Sequence, residues 1–467
     1  MHPFRLLVVY LCVASALGAI PAIEQTVRQI GNGFPRTWGV RNGAPVVADY
    51  EMDPEIVNDP RYRERLPEGL RALPSLLVTM KNEDLFGEER GIYAHPMESG
   101  DDWERACKAE LVGTNNVTVF EVDCGIQIQG GWNRRPEESP KHAFRIVFKK
   151  RYGPGKLKAA IFGSDAATEF DTFILRAGCN NTWLHWKGEE RKRGDFLRDQ
   201  WARDTQRAMG HLSPRGIFVH LYLNGLYWGL YNLVERPDDS FAETYLGGAK
   251  QNYDARNADK ILSGDATAWD ELFEVANAGV TNIAQYERIA ALLDLENFAD
   301  YMLLNLYGAN ADWDRASNWY ACRPRRAGGK WLFLVWDAER TLEYPKDNRL
   351  LVDDDRSPTR LFHRLRQSED FRKLFAARAE KHLGGVLSAA KAAERYKTLS
   401  KEIELAVIGE AARWGDYRRD VHQYKEGPYE LYTPETWRRE VDRLLTEYFP
   451  TRTEIFRAQL KEARLIN

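Results

Sequence analysis

Residues 217–231 read Ile217-Phe218-Val219-His220-Leu221-Tyr222-Leu223-Asn224-Gly225-Leu226-Tyr227-Trp228-Gly229-Leu230-Tyr231. Two apolar runs rich in aromatic and branched residues flank Asn224-Gly225. That dipeptide readily takes the left-handed conformations a two-residue hairpin turn demands. The stretch is therefore expected as a β-hairpin, and strand character extends upstream of it. Pro74 to Met80 reads as a first strand. Glu121 to Gln129 alternates polar and apolar residues and ends at a Gly130-Gly131 turn. Lys141 to Phe148 is expected as another strand. His142, Phe144, Ile146 and Phe148 fall on one face of it, and Lys141, Ala143 and Arg145 on the other. Asp195 to Met209 instead carries apolar and charged residues at helical spacing and stops at Gly210.

Downstream of Glu235-Arg236-Pro237 the pattern changes. Residues 265–310 are mostly helical, with Phe298, Met302 and Leu306 at one-turn spacing. Short strands are expected at 318–321 and 331–336, and the chain from Thr359 onward reads as charged helix. A β-rich first half therefore feeds a helix-rich second half, an α+β class. Residues 24–75, rich in Pro, Gly, Asp and Arg, read as a wrapping N-terminal extension.

The chain has 467 residues, enough for two or three domains or one large two-lobed unit. Its 66 Lys and Arg nearly balance 69 Asp and Glu, leaving −3, which argues against nucleic acid as the main partner. An apolar fraction of 43% supports sizeable cores and excludes wholesale disorder. Arg5 precedes an apolar run from Leu6 to Ile20 that holds the small residues Ala14, Ser15, Ala16, Gly18 and Ala19. This is the pattern of a signal peptide, expected over residues 1–19. The mature chain is then expected to be secreted or placed in the cell envelope. It would have no stable membrane span after cleavage, because no later segment approaches the roughly 18 apolar residues a span needs. Beyond Cys12 the cysteines are Cys107, Cys124, Cys179 and Cys322, without a CxxC pair. Cys107 and Cys124 are the closest in sequence and suit either a disulfide or two buried thiols.

Two clusters carry chemistry. The first is Asn310-Ala311-Asp312-Trp313-Asp314-Arg315-Ala316-Ser317-Asn318, after a helix; the second is Trp336-Asp337-Ala338-Glu339, after a strand. Carboxylates and an Asn at the ends of regular elements suit a hard divalent cation such as magnesium, which keeps waters and takes substrate phosphates to fill its shell. A catalytic carboxylate, an Asn and a metal-binding Asp with upstream cations form the minimal kit for phosphoryl transfer. The same residue types also cap helices and build turns. There is no GxxxxGK[ST], HExxH, GxSxG or EF-hand loop.

The order of these motifs resembles the CotH kinase family, named for a spore-coat protein. The resemblance rests on Ile126 to Gly131, Ser139 to Arg145, Phe196 to Gln200, Val219 to Tyr231 with Glu235, Asn310 to Trp313 with Asn318, and Trp336-Asp337. It implies an atypical protein-kinase-like two-lobed fold, with a β-rich N-lobe over 76–236 and a helical C-lobe over 237–467, following an extension over 20–75. It further implies transfer of the ATP γ-phosphate to Ser or Thr of envelope, coat or secreted proteins, using Mg2+ with Mn2+ as an alternative, on an acceptor rich in Ser. Carried onto this chain, Lys141 would reach the ATP phosphates, with Arg145 as understudy, Asp199 as the acidic partner of Lys141, and Glu235 at the hinge. Asp312 would orient or deprotonate the acceptor hydroxyl, with Asp314 as its rival. Asn318 and Asp337 would hold the metal, and Glu339 would be a further ligand. The alternative is a non-catalytic pseudokinase that binds a surface or envelope partner.

Overall fold

The computed structural model describes residues 21, 23–27, 34–41, 43–313 and 317–467. The expected signal segment and Asp314 lie outside the described residues. The strands in chain order are β1 (Thr37–Arg41), β2 (Ala44–Val47), β3 (Ser75–Met80), β4 (Arg105–Val112) and β5 (Thr118–Gln129). There follow β6 (Ala143–Val147), β7 (Leu157–Lys158), β8 (Glu169–Phe170), β9 (Thr172–Arg176), β10 (Gly216–Leu223) and β11 (Leu226–Glu235). The later strands are β12 (Tyr253–Asn257), β13 (Lys260–Ser263), β14 (Trp319–Pro324) and β15 (Leu332–Val335). Helix content is 38% and strand content 20%, an α+β composition.

Strands β10, β11, β9, β6, β5, β4 and β3 close into a barrel in that order. Neighbours run antiparallel except at the seam, where β10 pairs with β3 in parallel. An odd number of strands cannot alternate all the way round, so one parallel contact is a geometric necessity. Closure leaves no barrel edge open to other chains. The Asn224-Gly225 turn is as expected: both residues have left-handed φ, 48° and 82°. Asn224 Oδ1 also accepts the Met80 N–H at 2.8 Å, which ties the hairpin tip to the end of β3.

The pairing of β10 with β11 shifts register between Leu221 and Tyr222, opposite Gly229. Gly229 has φ 116°, and a Cβ there would meet Glu410 Oε2 at 2.6 Å. Only glycine lets the Ala406–Trp414 helix sit so close to β11. That helix carries Trp414 into the barrel cluster with Trp228. From the other end of the chain, Trp38 and Tyr50 enter the same cluster. The N-terminal extension is thus woven into the core rather than wrapped around it.

A second, four-stranded sheet has the order β13-β12-β14-β15. One face of it meets the Leu295–Tyr307 helix in the helical core through Phe333 and Phe298. Its other face, through Tyr320, Leu334 and Trp336, meets Ile174 and Val234 of the barrel in a small separate cluster. Strand β6 starts at Ala143, so Lys141 and His142 precede it rather than forming part of it. Strand β4 was not expected at all. Among the described residues no helix is long and apolar enough to cross a membrane.

Three buried histidines give the fold a pH dependence. His142, His185 and His220 are pushed down to about 4, about 3 and about 4, in each case chiefly by burial. His220 shows why. Its Nε2 lies 2.8 Å from the Gly69 carbonyl and its Nδ1 2.9 Å from the Tyr227 hydroxyl. With Nε2–H donating to the carbonyl and Nδ1 accepting the hydroxyl proton, the neutral ring is satisfied. A second ring proton would displace that donor. In the unfolded chain these rings take protons near 6.5, so their stabilisation is complete above that pH and is lost as pH falls towards the folded values. Unfolding free energy is expected to fall by up to about 1.4 kcal/mol per pH unit for each ring between about pH 6.5 and 4. Urea titrations at several pH values check this, and His220→Gln should remove one ring's share of the slope.

Candidate functional site

A cleft of about 750 Å³ opens between the barrel and the second sheet. The Gly130-Gly131 turn after β5, Arg176 at the end of β9 and Lys260 of β13 contribute to its walls. Asp312, Asn318, Asp337 and Glu339 all line it. Strand register brings the last group together. Trp319 of β14 pairs with Val335 of β15, so Asn318 and Trp336-Asp337 leave the same end of the sheet. The Asp312 loop is tied to them twice. Asn318 Nδ2 donates to the Asp312 carbonyl at 2.5 Å, and the Ala311 N–H donates to the Arg340 carbonyl at 2.9 Å. The Asp312 N–H in turn donates to Asn310 Oδ1 at 3.2 Å.

Asn318 and Asp337 both have left-handed backbone, φ 66° and 57°. Outside glycine this conformation costs roughly 1–2 kcal/mol, least for Asn and Asp. Strain of this kind persists where surrounding structure over-determines it, and it gathers at functional sites.

Arg176 is the electrostatic centre. Its guanidinium contacts Asp337 Oδ1, reaches Glu339 Oε1 at 2.6 Å and lies 3.1 Å from Asp199 Oδ2. Burial alone would weaken its charge, but the carboxylates of Asp199, Asp337 and Glu339 hold its pKa well above the ordinary value. Burial acts on Asp199 in the opposite sense, and Arg176 and Arg203 overcome it, keeping that carboxyl below its usual range. Glu339 is pushed up to about 7, by burial first and the Asp337 charge second. Its Oε2 accepts the N–H groups of Cys179 and Asn180 at 2.9 and 2.8 Å. Asp199 Oδ1 accepts the Ala338 N–H at 2.9 Å, which fixes the Arg198–Ala208 helix against the turn that follows Asp337.

Four of the expected site residues, Asp312, Asn318, Asp337 and Glu339, therefore share the cleft. Asp199 stands one layer behind them through Arg176. The expected pairing of Lys141 with Asp199 is corrected: Asp199 takes Arg176 and Arg203 instead. Lys141 is only 2% exposed and lies outside the cleft lining, donating to Glu410 Oε1 at 2.6 Å and the Leu230 carbonyl at 2.7 Å. Burial lowers its pKa, opposed by Glu410. Arg145 also lies off the cleft lining, with Nε 3.3 Å from Thr172 Oγ1, and burial and the nearby Arg236 lower its pKa. Glu235 accepts the Tyr245 hydroxyl at 2.5 Å and the Arg215 N–H at 2.8 Å, and burial raises its pKa; it too is absent from the cleft lining.

Sequence reading missed Arg176 and Glu410. Each had a local signal. Arg176 ends the otherwise apolar Phe173-Ile174-Leu175 run, and Glu410 is the lone acid in the Ala406–Trp414 helix.

Among the described residues no three His, Cys, Asp or Glu side chains are placed to hold a metal unaided. Among the described residues, the oxygen donors that the resemblance assigns to a metal are the carboxylates of Asp337 and Glu339 and the Asn318 amide, and all three line the cleft. That set fits magnesium, which binds through one or two carboxylates and completes its shell with water and substrate phosphates. The cleft volume also falls in the range of cofactor sites, about 300–1,000 Å³.

The helix and strand content define an α+β protein with an acid-lined cleft. The family model described as CotH kinase protein matches residues 126–455, and the chain belongs to the CotH kinase family. The match begins within β5, so barrel strands β3 and β4 precede it. No curated protein matches the chain.

Proposed function

We propose that this chain is an exported atypical protein kinase that transfers the γ-phosphate of ATP to Ser or Thr of envelope, coat or secreted proteins. The observation that carries this reading is the gathering of Asp312, Asn318 and Asp337 at one end of the β14–β15 pair, facing a cleft bordered by the Gly130-Gly131 turn. The two-lobed reading is supported by the barrel and the second sheet, whose far face packs on the helical core, meeting at that cleft.

Asp337 and Asn318, with Glu339, would hold the metal. A bound magnesium ion supplies charge neutralisation on the phosphates. Asp312 orients the acceptor hydroxyl and takes its proton as the oxygen attacks. Arg176 holds Asp337 and Glu339 in place and supplies positive charge beside the transferring group, a task expected of Lys141 from sequence. The buried Lys141 instead braces β11 against the Ala406–Trp414 helix. Gly130 and Gly131 allow close backbone approach to a ligand over the cleft.

Nucleotide binding tests the reading. A ligand held only by the folded state stabilises it by about 2.7 kcal/mol at a hundredfold excess over Kd. ATP with magnesium should therefore raise the melting temperature by several degrees. Asp337→Ala should abolish the metal-dependent part of that shift.

A second reading, a non-catalytic partner-binding protein, is favoured by one observation. Arg176 already occupies carboxylate oxygens of Asp337 and Glu339 that a metal would need. Absence of any melting shift at saturating ATP and magnesium would select this second reading.

A further inference from the structure

Cys107 and Cys124 lie directly opposite each other on the antiparallel strands β4 and β5. Their sulfur atoms are 3.4 Å apart, although the residues are 17 positions apart in sequence. Opposed residues on antiparallel strands have Cα atoms about 4.5–5.5 Å apart, inside the roughly 4.4–6.8 Å that a disulfide spans. The sulfurs stand about 1.4 Å beyond the bonded S–S length of about 2.0 Å. Both thiols are buried in the barrel cluster with Leu111, Phe120 and Ile126. Cys179, at the cleft, and Cys322, on β14, belong to other parts of the fold.

We propose that Cys107 and Cys124 form a structural disulfide across β4 and β5 in the exported protein. It forms during barrel assembly, before burial seals the sulfurs, by exchange with an oxidised dithiol carrier. One cysteine thiolate attacks a carrier sulfur, making a mixed disulfide and releasing the carrier's other sulfur as thiolate. The second cysteine thiolate then attacks the protein-side sulfur of the mixed disulfide. The Cys107–Cys124 bond forms and the carrier leaves. Two electrons pass to the carrier, and the two thiol protons end on it as a dithiol. The cross-link restrains the strand whose end, Gln129, borders the cleft. The proposal rests on the export reading for its oxidising compartment and is independent of the kinase reading.

The test uses the full chain, produced with its own N-terminus and recovered from the exported fraction. The protein is denatured, alkylated without reduction and digested for mass spectrometry. Cys179 and Cys322 should be alkylated. The Cys107 and Cys124 peptides should appear linked, lighter than the reduced pair by two hydrogen atoms. Reductant should lower the melting temperature by several degrees, and should leave that of the Cys107→Ala/Cys124→Ala variant unmoved. Exported protein in which all these cysteines alkylate overturns the proposal. Should the chain not be exported, reduced protein is refolded in oxidised and reduced glutathione. Linkage of Cys107 to Cys124 there supports the pairing while export fails separately, and free thiols there overturn it.

Discussion

Asp312→Ala is expected to slow phosphoryl transfer by on the order of 10²–10⁴-fold, the range for loss of a positioned general base. Asp312 sits at the cleft wall, and its backbone is held by the Asn310 side chain below it and by Asn318 beside it. Both of those contacts use main-chain atoms of Asp312, so removing the carboxylate leaves the loop anchored. Transfer is measured with purified protein, magnesium, labelled ATP and a Ser-rich acceptor, and folding by thermal melting. Nucleotide affinity should survive, because the oxygens assigned to the metal are untouched. Wild-type turnover in Asp312→Ala would move the catalytic role to Asp314, and the same substitution there would test it.

Glu410→Ala should be strongly damaging to the fold. Lys141 and Glu410 are each 2% exposed and 2.6 Å apart. Glu410 also accepts the Leu230 N–H through Oε2 at 2.7 Å. Truncating the acid strands a buried ammonium and an unpaired backbone donor, and breaking such a pair costs roughly 3–5 kcal/mol. Urea denaturation should register that loss. The double variant Lys141→Met/Glu410→Leu removes both charges and should recover much of it, since apolar replacement of a buried pair is often neutral or better. Equal instability in the single and double variants would show that the damage comes from packing rather than charge.

The parts of this protein legible from sequence are those written in short range. The β10–β11 hairpin is set by two turn residues and the runs beside them. Asp312, Asn318 and Asp337 stand at the ends of regular elements, where polar residues have no business unless they cap, turn or react. Pairings across the chain were not legible. Lys141 finds Glu410 at 269 positions' distance, and Arg176 finds Asp337 at 161. The family resemblance paired Lys141 with Asp199 on the following helix, and burial between β11 and a distant helix could not be foreseen. Strand β4 was hidden for a related reason. Its Lys108 and Glu110 alternate with the core-facing Cys107, Ala109 and Leu111, and both are partnered from β5, by Glu121 at 2.5 Å and by Thr118 at 2.7 Å. Cross-strand partners make charged residues acceptable in a strand, and sequence does not name those partners.

The parallel seam of the barrel sets an order of events for the nascent chain. Strand β3 emerges first, but the turn residue that locks its end, Asn224, follows Met80 by 144 positions. Until then the edge of β3 has no mate, and such edges are where newly made proteins stick to one another. Contacts this remote in sequence also form late, because a long loop must be closed before they repay it. A polypeptide delivered residue by residue from its N-terminus therefore keeps its barrel unlatched until the last staves, β10 and β11, are available.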